Sequence, residues 1–255
     1  MRIDDLRGKR VLITGASTGI GAAVARAFGD QGARVGVHYN ASAEPAQAVA
    51  RDVEAAGGAA RLLQADVRDP AALRAIVAAF ADAEGGLDVL INNAGGTYGR
   101  TPIEQIDDAH YDSLVDLNQR SVFVASQAAV PYLRAAGGGA IITTSSIAAR
   151  SGGSGGIAVY AGTKGFVVSF TRSLAKELAG DTIRVNAVSP GTVDTRFHEV
   201  ASTPQQLESA KGKIPMGRLG APDDLVGTFL YLASPGLSGY VTGQVIEVNG
   251  GAMLR

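Results

Sequence analysis

Residues Arg10 to Gly21 read "RVLITGASTGIG", and the two halves of the stretch obey different rules. "RVLIT" is a short apolar run with no polar alternation, the pattern of a strand covered on both faces. "TGASTGIG" places glycines at 15, 19 and 21 and is followed by "GAAVARAFGDQ", an alanine-rich segment of strong helix propensity. A strand that passes through a glycine turn into a helix presents unpaired N–H groups and a positive dipole end at the sheet's carboxyl edge, where a pyrophosphate binds well. Gly15 then serves the tight turn, Gly19 close backbone approach, and Gly21 close packing of the helix. Ser17, Thr18 and Ile20 fill out the loop.

The same alternation continues outward. Apolar runs of strand length recur as "RVGVH", "ARLLQA", "LDVLI", "GAIITTS", "TIRVNAV" and "QVIEV", and helical segments such as "EPAQAVARDVEAA" and "AALRAIVAAFADA" separate them. Strand-helix-strand units of this length make a parallel sheet with right-handed crossovers. The expected fold is α/β: a doubly wound, Rossmann-type sheet of seven parallel strands, all buried on both faces, in a single domain spanning residues 1–255. One stretch breaks the rhythm. "RFHEVASTPQQLESAKGKIPMGRL", within residues 194–218 and just beyond, has weak apolar periodicity and two prolines, and reads as a substrate loop or lid.

Composition narrows the function. The chain of 255 residues carries 23 basic and 24 acidic side chains for a formal net charge of -1, so no polyphosphate track or membrane-facing basic surface is expected. There is no cysteine, which removes disulfides, thiolate metal sites and thiol nucleophiles. His38, His110 and His198 lie far apart, and no metal site is expected. "MRIDDLRGKR" has no apolar leader core and no later segment is long and apolar enough to span a bilayer, so a cytoplasmic protein is expected.

More residues converge on the carboxyl edge. "INNAG" ends the fourth strand, where Asn92 is expected to fix the loop backbone and Ala94 and Gly95 to leave room for a ribose. "QADVRD" ends the third, where Asp66, next to Val67, can accept from an adenine amino group, because Asp69 before Pro70 fits the helix cap better. The second strand ends "VHYNAS", with Tyr39 where an acid would hold a ribose 2′-hydroxyl. Asn40 and Ser42 can donate to a phosphate instead, so NADP(H) is favoured over NAD(H), although Thr18 is neutral where an arginine would have strengthened the reading.

"YAGTK" supplies chemistry. Tyr160 and Lys164 are an i,i+4 pair and share a helix face. Lowering a phenol from its usual pKa of about 10 to neutrality requires about 4 kcal/mol, and one ammonium about 4 Å away at an effective dielectric near 20 supplies about that much. Lys164 is therefore expected to favour the phenolate. A carbonyl oxygen needs a second donor, and the fifth strand ends with Ser145 and Ser146. Ser146, last before the loop toward Tyr160, is the choice; Ser145 is the alternative.

With "TGASTGIG", "NNAG", the Ser146/Tyr160/Lys164 set, "SPG" at 189–191 and the C-terminal "GYVTGQVIEVNGG", the chain resembles the short-chain dehydrogenase/reductase family over nearly its full length. It is most similar to the 3-oxoacyl carrier-protein reductase and the sugar or polyol dehydrogenase branches. The resemblance implies a hydride exchange between NAD(P) and a small carbonyl or alcohol. It adds Asn118, in "LVDLNQRSVF", which would hold a kinked helix and a water linked to Lys164. It also assigns ribose binding to Lys164, nicotinamide contacts to Pro190, Gly191, Val193 and Thr195, and a homotetramer packed through the helices around Asn118 and Tyr160. The "SGGSGG" linker before Tyr160 is slightly longer than the family's. Two other readings compete: a nucleotide sensor without turnover, which loss of Tyr160 or Lys164 would have favoured, and dehydration or epimerisation without net nucleotide consumption. Gly96, Thr97, Tyr98, Ile147, Ser154, Ile157 and Phe197 are expected around the substrate, with Arg100, Arg150 and Arg196 within reach of an anionic group.

Overall fold

The computed structural model describes residues 2–195, 197 and 202–254. Its centre is one sheet of seven parallel strands in the order β3-β2-β1-β4-β5-β6-β7. The strands are β1 (Arg10–Ile13), β2 (Arg34–Tyr39), β3 (Ala59–Gln64), β4 (Val89–Asn92), β5 (Gly139–Thr144), β6 (Ile183–Pro190) and β7 (Val245–Val248). The order reverses between β1 and β4, whose registers align Val11 with Val89 and Ile13 with Ile91. That reversal opens a crevice at the carboxyl ends of the strands.

Helices cover both faces. On one side α1 (Gly19–Asp30), α2 (Ala43–Ala55) and the helix Asp223–Ala233 bury Phe28, Val49 and Phe229 against Val11, Ile13 and Val35. On the other, α3 (Pro70–Glu84), α5 (Ser121–Ala135) and α7 (Ala158–Leu178) pack Leu73, Phe80, Leu133 and Leu178 on Leu12, Leu90 and Ile141. α4 (Asp108–Val115) runs into α5 through a π-turn at Asp116–Arg120, and α6 (Ala148–Ser151) is a single turn ahead of α7.

Two expectations need correction. Only the inner strands are buried on both faces. β6 is buried at every position, whereas most of β3 is exposed and β7 is half-buried throughout, because an edge strand has a neighbour on one side only. The described part of the 194–218 stretch also holds more secondary structure than weak periodicity suggested. It contains a helix at Pro204–Lys211 started by a capping box, in which Gln206 N–H donates to the Thr203 hydroxyl and Thr203 N–H to the Gln206 side chain. Arg196 and His198 lie outside the described residues.

Candidate active site

A cleft of about 850 Å³ runs along the carboxyl edge, from Tyr39 and Ser42 at the end of β2 to Tyr160 in the first turn of α7. Of the residues expected to hold a nucleotide, only Gly21 and Asn92 do not line it. Ser146, Tyr160 and Lys164 line it too, and Asn118 stands behind its wall.

The glycine loop is tight where the sequence requires glycine. Gly15 and Gly19 have φ of +65° and +56°, which side chains rarely adopt. A Cβ on Gly15 would lie 2.9 Å from the Ala94 Cα, and one on Gly21 would lie 2.2 Å from the Gly15 carbonyl oxygen. Gly21 thus packs α1 against the loop, which keeps it out of the cleft. No side chain caps the N-terminus of α1 at Thr18, leaving first-turn N–H groups for a ligand.

Asn92 does not fix this loop. It is buried and donates to Ser126 and Thr143 hydroxyls. Its neighbour does the work: Asn93 donates from Nδ2 to the carbonyls of Thr14 and Gly15 at 3.1 and 3.0 Å, while Thr14 Oγ1 accepts the N–H groups of Asn93 and Ala94. Adjacent strand residues point to opposite faces, and a sequence of two asparagines gives no sign of which faces the loop. His38 was also missed. Its Nδ1 accepts the Gly15 N–H at 2.9 Å and its Nε2 lies 3.1 Å from the Ala65 carbonyl, and burial pushes its pKa down to about 4.

At the end of β3, Asp69 caps α3 by accepting from Ala71 and Ala72. Asp66 lines the cleft, but its carboxylate is already engaged by the Arg68 guanidinium, with Nε at 3.0 Å from both oxygens and the second nitrogen at 2.6 Å from Oδ2. That pairing holds Asp66 below the usual carboxylate range.

At the other end the two serines separate. The Ser146 hydroxyl accepts the Ala148 N–H and lines the cleft together with Tyr160. Ser145 is buried and donates to the Lys164 carbonyl. Tyr160 and Lys164 share the inner face of α7, 8% and 4% exposed. Lys164 Nζ donates to the Thr144 carbonyl at 2.9 Å and sits 5.7 Å from the Tyr160 ring centroid. Phe197 covers the same ring at 5.7 Å.

The ionisation expected of the pair is not what burial produces. Desolvation pushes the phenol up to about 12, only partly offset by the Ser146 hydroxyl, and pulls the lysine down to about 8. Burial costs the charged form of each side chain more than its neighbours return.

Asn118 occupies the π-turn and is fully buried. Its Nδ2 donates to the Gly96 and Leu114 carbonyls and its Oδ1 accepts the Gly96 N–H. A Cβ on Gly95 would lie 2.9 Å from that Oδ1 and 3.2 Å from Lys164 Nζ, so the absence of a side chain there keeps a space beside the lysine. Gly19, where a Cβ would meet Thr195 at 3.3 Å, keeps another. These two gaps, the uncapped α1 N-terminus and the length of the cleft fit a pyridine dinucleotide. Near the mouth, Arg100 donates to the Ser154 hydroxyl and the Gly155 carbonyl, whereas Arg150 turns away to Glu247. Among the described residues no cluster of acids or histidines could hold a metal ion, and no helix is long and apolar enough to cross a membrane.

Comparison with known proteins agrees with this architecture. A family model described as enoyl-(acyl carrier protein) reductase matches residues 15–253. The 3-oxoacyl-[acyl-carrier-protein] reductase FabG of Staphylococcus aureus is 37% identical over 95% of this chain and 97% of its own length. A crystal structure of the NADH-dependent reductase A1-R' complexed with NAD is 40% identical, with a TM-score of 0.88 over 99% of both chains. A short-chain dehydrogenase from Burkholderia cenocepacia in complex with NADP is 36% identical, with a TM-score of 0.90 over 97% of this chain and 99% of that one. The chain belongs to the short-chain dehydrogenase/reductase family, and its relatives are oxidoreductases.

Proposed function

We propose that this chain is an NADP(H)-dependent oxidoreductase that interconverts a ketone and a secondary alcohol, with Tyr160 as the proton-transfer group. The observation that carries the reading is the convergence of Ser146, buried Tyr160 and buried Lys164 on the cleft that also holds the glycine loop. When bound, the nicotinamide supplies the hydride that the carbonyl carbon gains. Tyr160 gives its phenolic proton to the carbonyl oxygen, and the Ser146 hydroxyl donates to the same oxygen and orients it. Lys164 balances the phenolate that results, and Tyr160 regains a proton from water. Asn118 positions the Gly96 main chain and, through an intervening water, the lysine. A phenol kept protonated by burial is loaded for reduction, so reduction is the direction proposed at neutral pH.

The preference for NADP(H) rests on the end of β2. Tyr39, Asn40 and Ser42 line the cleft with no carboxylate among them, and the Ser42 hydroxyl makes no cap to α2, which suits a 2′-phosphate. NAD(H) is the second reading, supported by the NADH-dependent relative and by the neutral Thr18. The similarity to FabG makes a 3-oxoacyl thioester one substrate class to test, with sugars and other ketones beside it. The proposal treats residues 1–255 as one domain, with the 194–218 segment as a substrate lid that brings Phe197 to Tyr160. It extends to a homotetramer packed through α5 and α7, where Phe123, Phe166 and Phe170 form an aromatic group with Phe123 42% exposed.

The test is consumption of NADPH and of NADH against β-keto thioesters, ketoses, diketones and steroid ketones, by the native protein and by Tyr160→Phe. Turnover that falls about 10²–10⁴-fold in the variant supports the assignment. Nucleotide binding without turnover on any ketone would favour the sensor.

A further inference from the structure

We propose that His38 is a positioning residue of the nucleotide site, holding the glycine loop from the β2 side as Asn93 holds it from the β4 side. The inference rests on the nucleotide-binding reading above. The glycine turn hangs on residue 38 through two bonds: the Gly15 N–H donates to the imidazole Nδ1 at 2.9 Å, and the Ala16 N–H donates to the His38 carbonyl at 2.8 Å. On the opposite side Asn93 takes the carbonyls of Thr14 and Gly15. The N–H and carbonyl of Gly15, the Ala16 N–H and the Thr14 carbonyl therefore have partners, and the two side chains that supply them come from β2 and from the end of β4.

The imidazole's own state is fixed by its surroundings. Because Nδ1 accepts, the ring proton is on Nε2, which donates to the Ala65 carbonyl at 3.1 Å. His38 is 2% exposed and borders the cleft. Ala65 directly precedes Asp66 and Val67, both in the cleft wall. One neutral ring thus ties the turn where a diphosphate would rest to the segment where adenine would rest. A protonated ring could not do this, since Nδ1 would become a donor facing another donor. The charged groups near it are the Asp66 carboxylate and the Arg68 guanidinium, paired with each other.

The test separates the two hydrogen bonds from the ring's bulk. His38→Leu keeps volume and leaves the Gly15 N–H without its acceptor; His38→Asn keeps an acceptor at the Nδ1 position; His38→Gln keeps only a donor toward Ala65. Dissociation constants for NADPH and NADH are measured by nucleotide fluorescence, together with melting temperature and kcat. Losing a buried acceptor is expected to weaken nucleotide binding about tenfold or more in His38→Leu, with kcat at saturating nucleotide within about twofold and His38→Asn within about threefold of native. If His38→Leu does not fold, His38→Gln takes its place and is expected to bind at least about tenfold more weakly than His38→Asn. Folded variants that bind as tightly as native overturn the proposal, as do Asn and Gln variants weakened equally. Native protein that binds neither nucleotide overturns the functional reading itself and this proposal with it.

Discussion

The two ends of the cleft are built on opposite principles. At the nucleotide end, neutral groups satisfy one another: His38, Asn93 and Thr14 pair with the main chain of the glycine turn, and close approach of backbone to backbone leaves no room for a Cβ on Gly15 or Gly21. At the chemical end, two ionisable side chains are buried beside each other, and each is displaced toward its neutral form. The first arrangement is complete as the protein folds. The second is destabilised relative to exposed groups and becomes useful only when a reaction develops charge beside it, a division common where stability is sacrificed for activity.

The comparison can be broken most severely at Lys164. Lys164→Met removes the ammonium but keeps an unbranched side chain of comparable length, and is expected to lower kcat by about 10²-fold or more while the melting temperature holds or rises. Calorimetry beside steady-state kinetics checks both. A variant that loses stability and keeps its rate would show the lysine to be structural. Gly21→Ala attacks the other end. Its Cβ would lie 2.2 Å from the Gly15 carbonyl oxygen, and over-packing of that kind costs about 1–3 kcal/mol, so nucleotide affinity should drop about tenfold or more with kcat at saturation little changed.

Smaller effects sharpen the contrast. Tyr39→Asp places a carboxylate at the end of β2, and the ratio of NADPH to NADH dissociation constants should rise about tenfold; an unchanged ratio would move the 2′-position away from Tyr39. His38 makes the nucleotide end sensitive to acid. Its folded-state pKa of about 4 lies below the ordinary 6.5, so the unfolded chain takes up the proton first. Its stabilisation is present above about pH 6.5 and is lost as the pH falls toward 4, by about 3 kcal/mol at most. Asp66, held charged by Arg68, does not titrate first. Denaturant titrations across this window should show the loss in native protein and a shallower slope in His38→Asn.

What the sequence revealed follows the same division. The inner strands were visible because parallel strands covered on both faces are continuous apolar runs, and the three glycines of the turn announced the loop. Tyr160 and Lys164 were visible because four residues in one helix is a local spacing. The exposure of β3 was hidden, since nothing in "ARLLQ" says that the strand lies at an edge. His38 and Asn93 were missed because their partners lie 23 and 78 residues away, a matter of strand order and register. The π-turn that places Asn118 has no sequence signal of its own and entered through family resemblance alone. The direction of the Tyr160 shift went wrong for a physical reason: spacing predicts a neighbour, whereas desolvation depends on the whole fold around it.

The most direct test of a phenol held protonated by burial is the pH dependence of turnover in both directions, with the best carbonyl and its alcohol. Reduction should stay level through neutral pH and decline above about pH 8, where Lys164 loses its charge, while oxidation, which needs the phenolate, should climb about tenfold per pH unit up to that point. A reductive rate that falls near neutrality, or an oxidative rate already level there, would mean that Tyr160 ionises readily in the working site and would contradict the account.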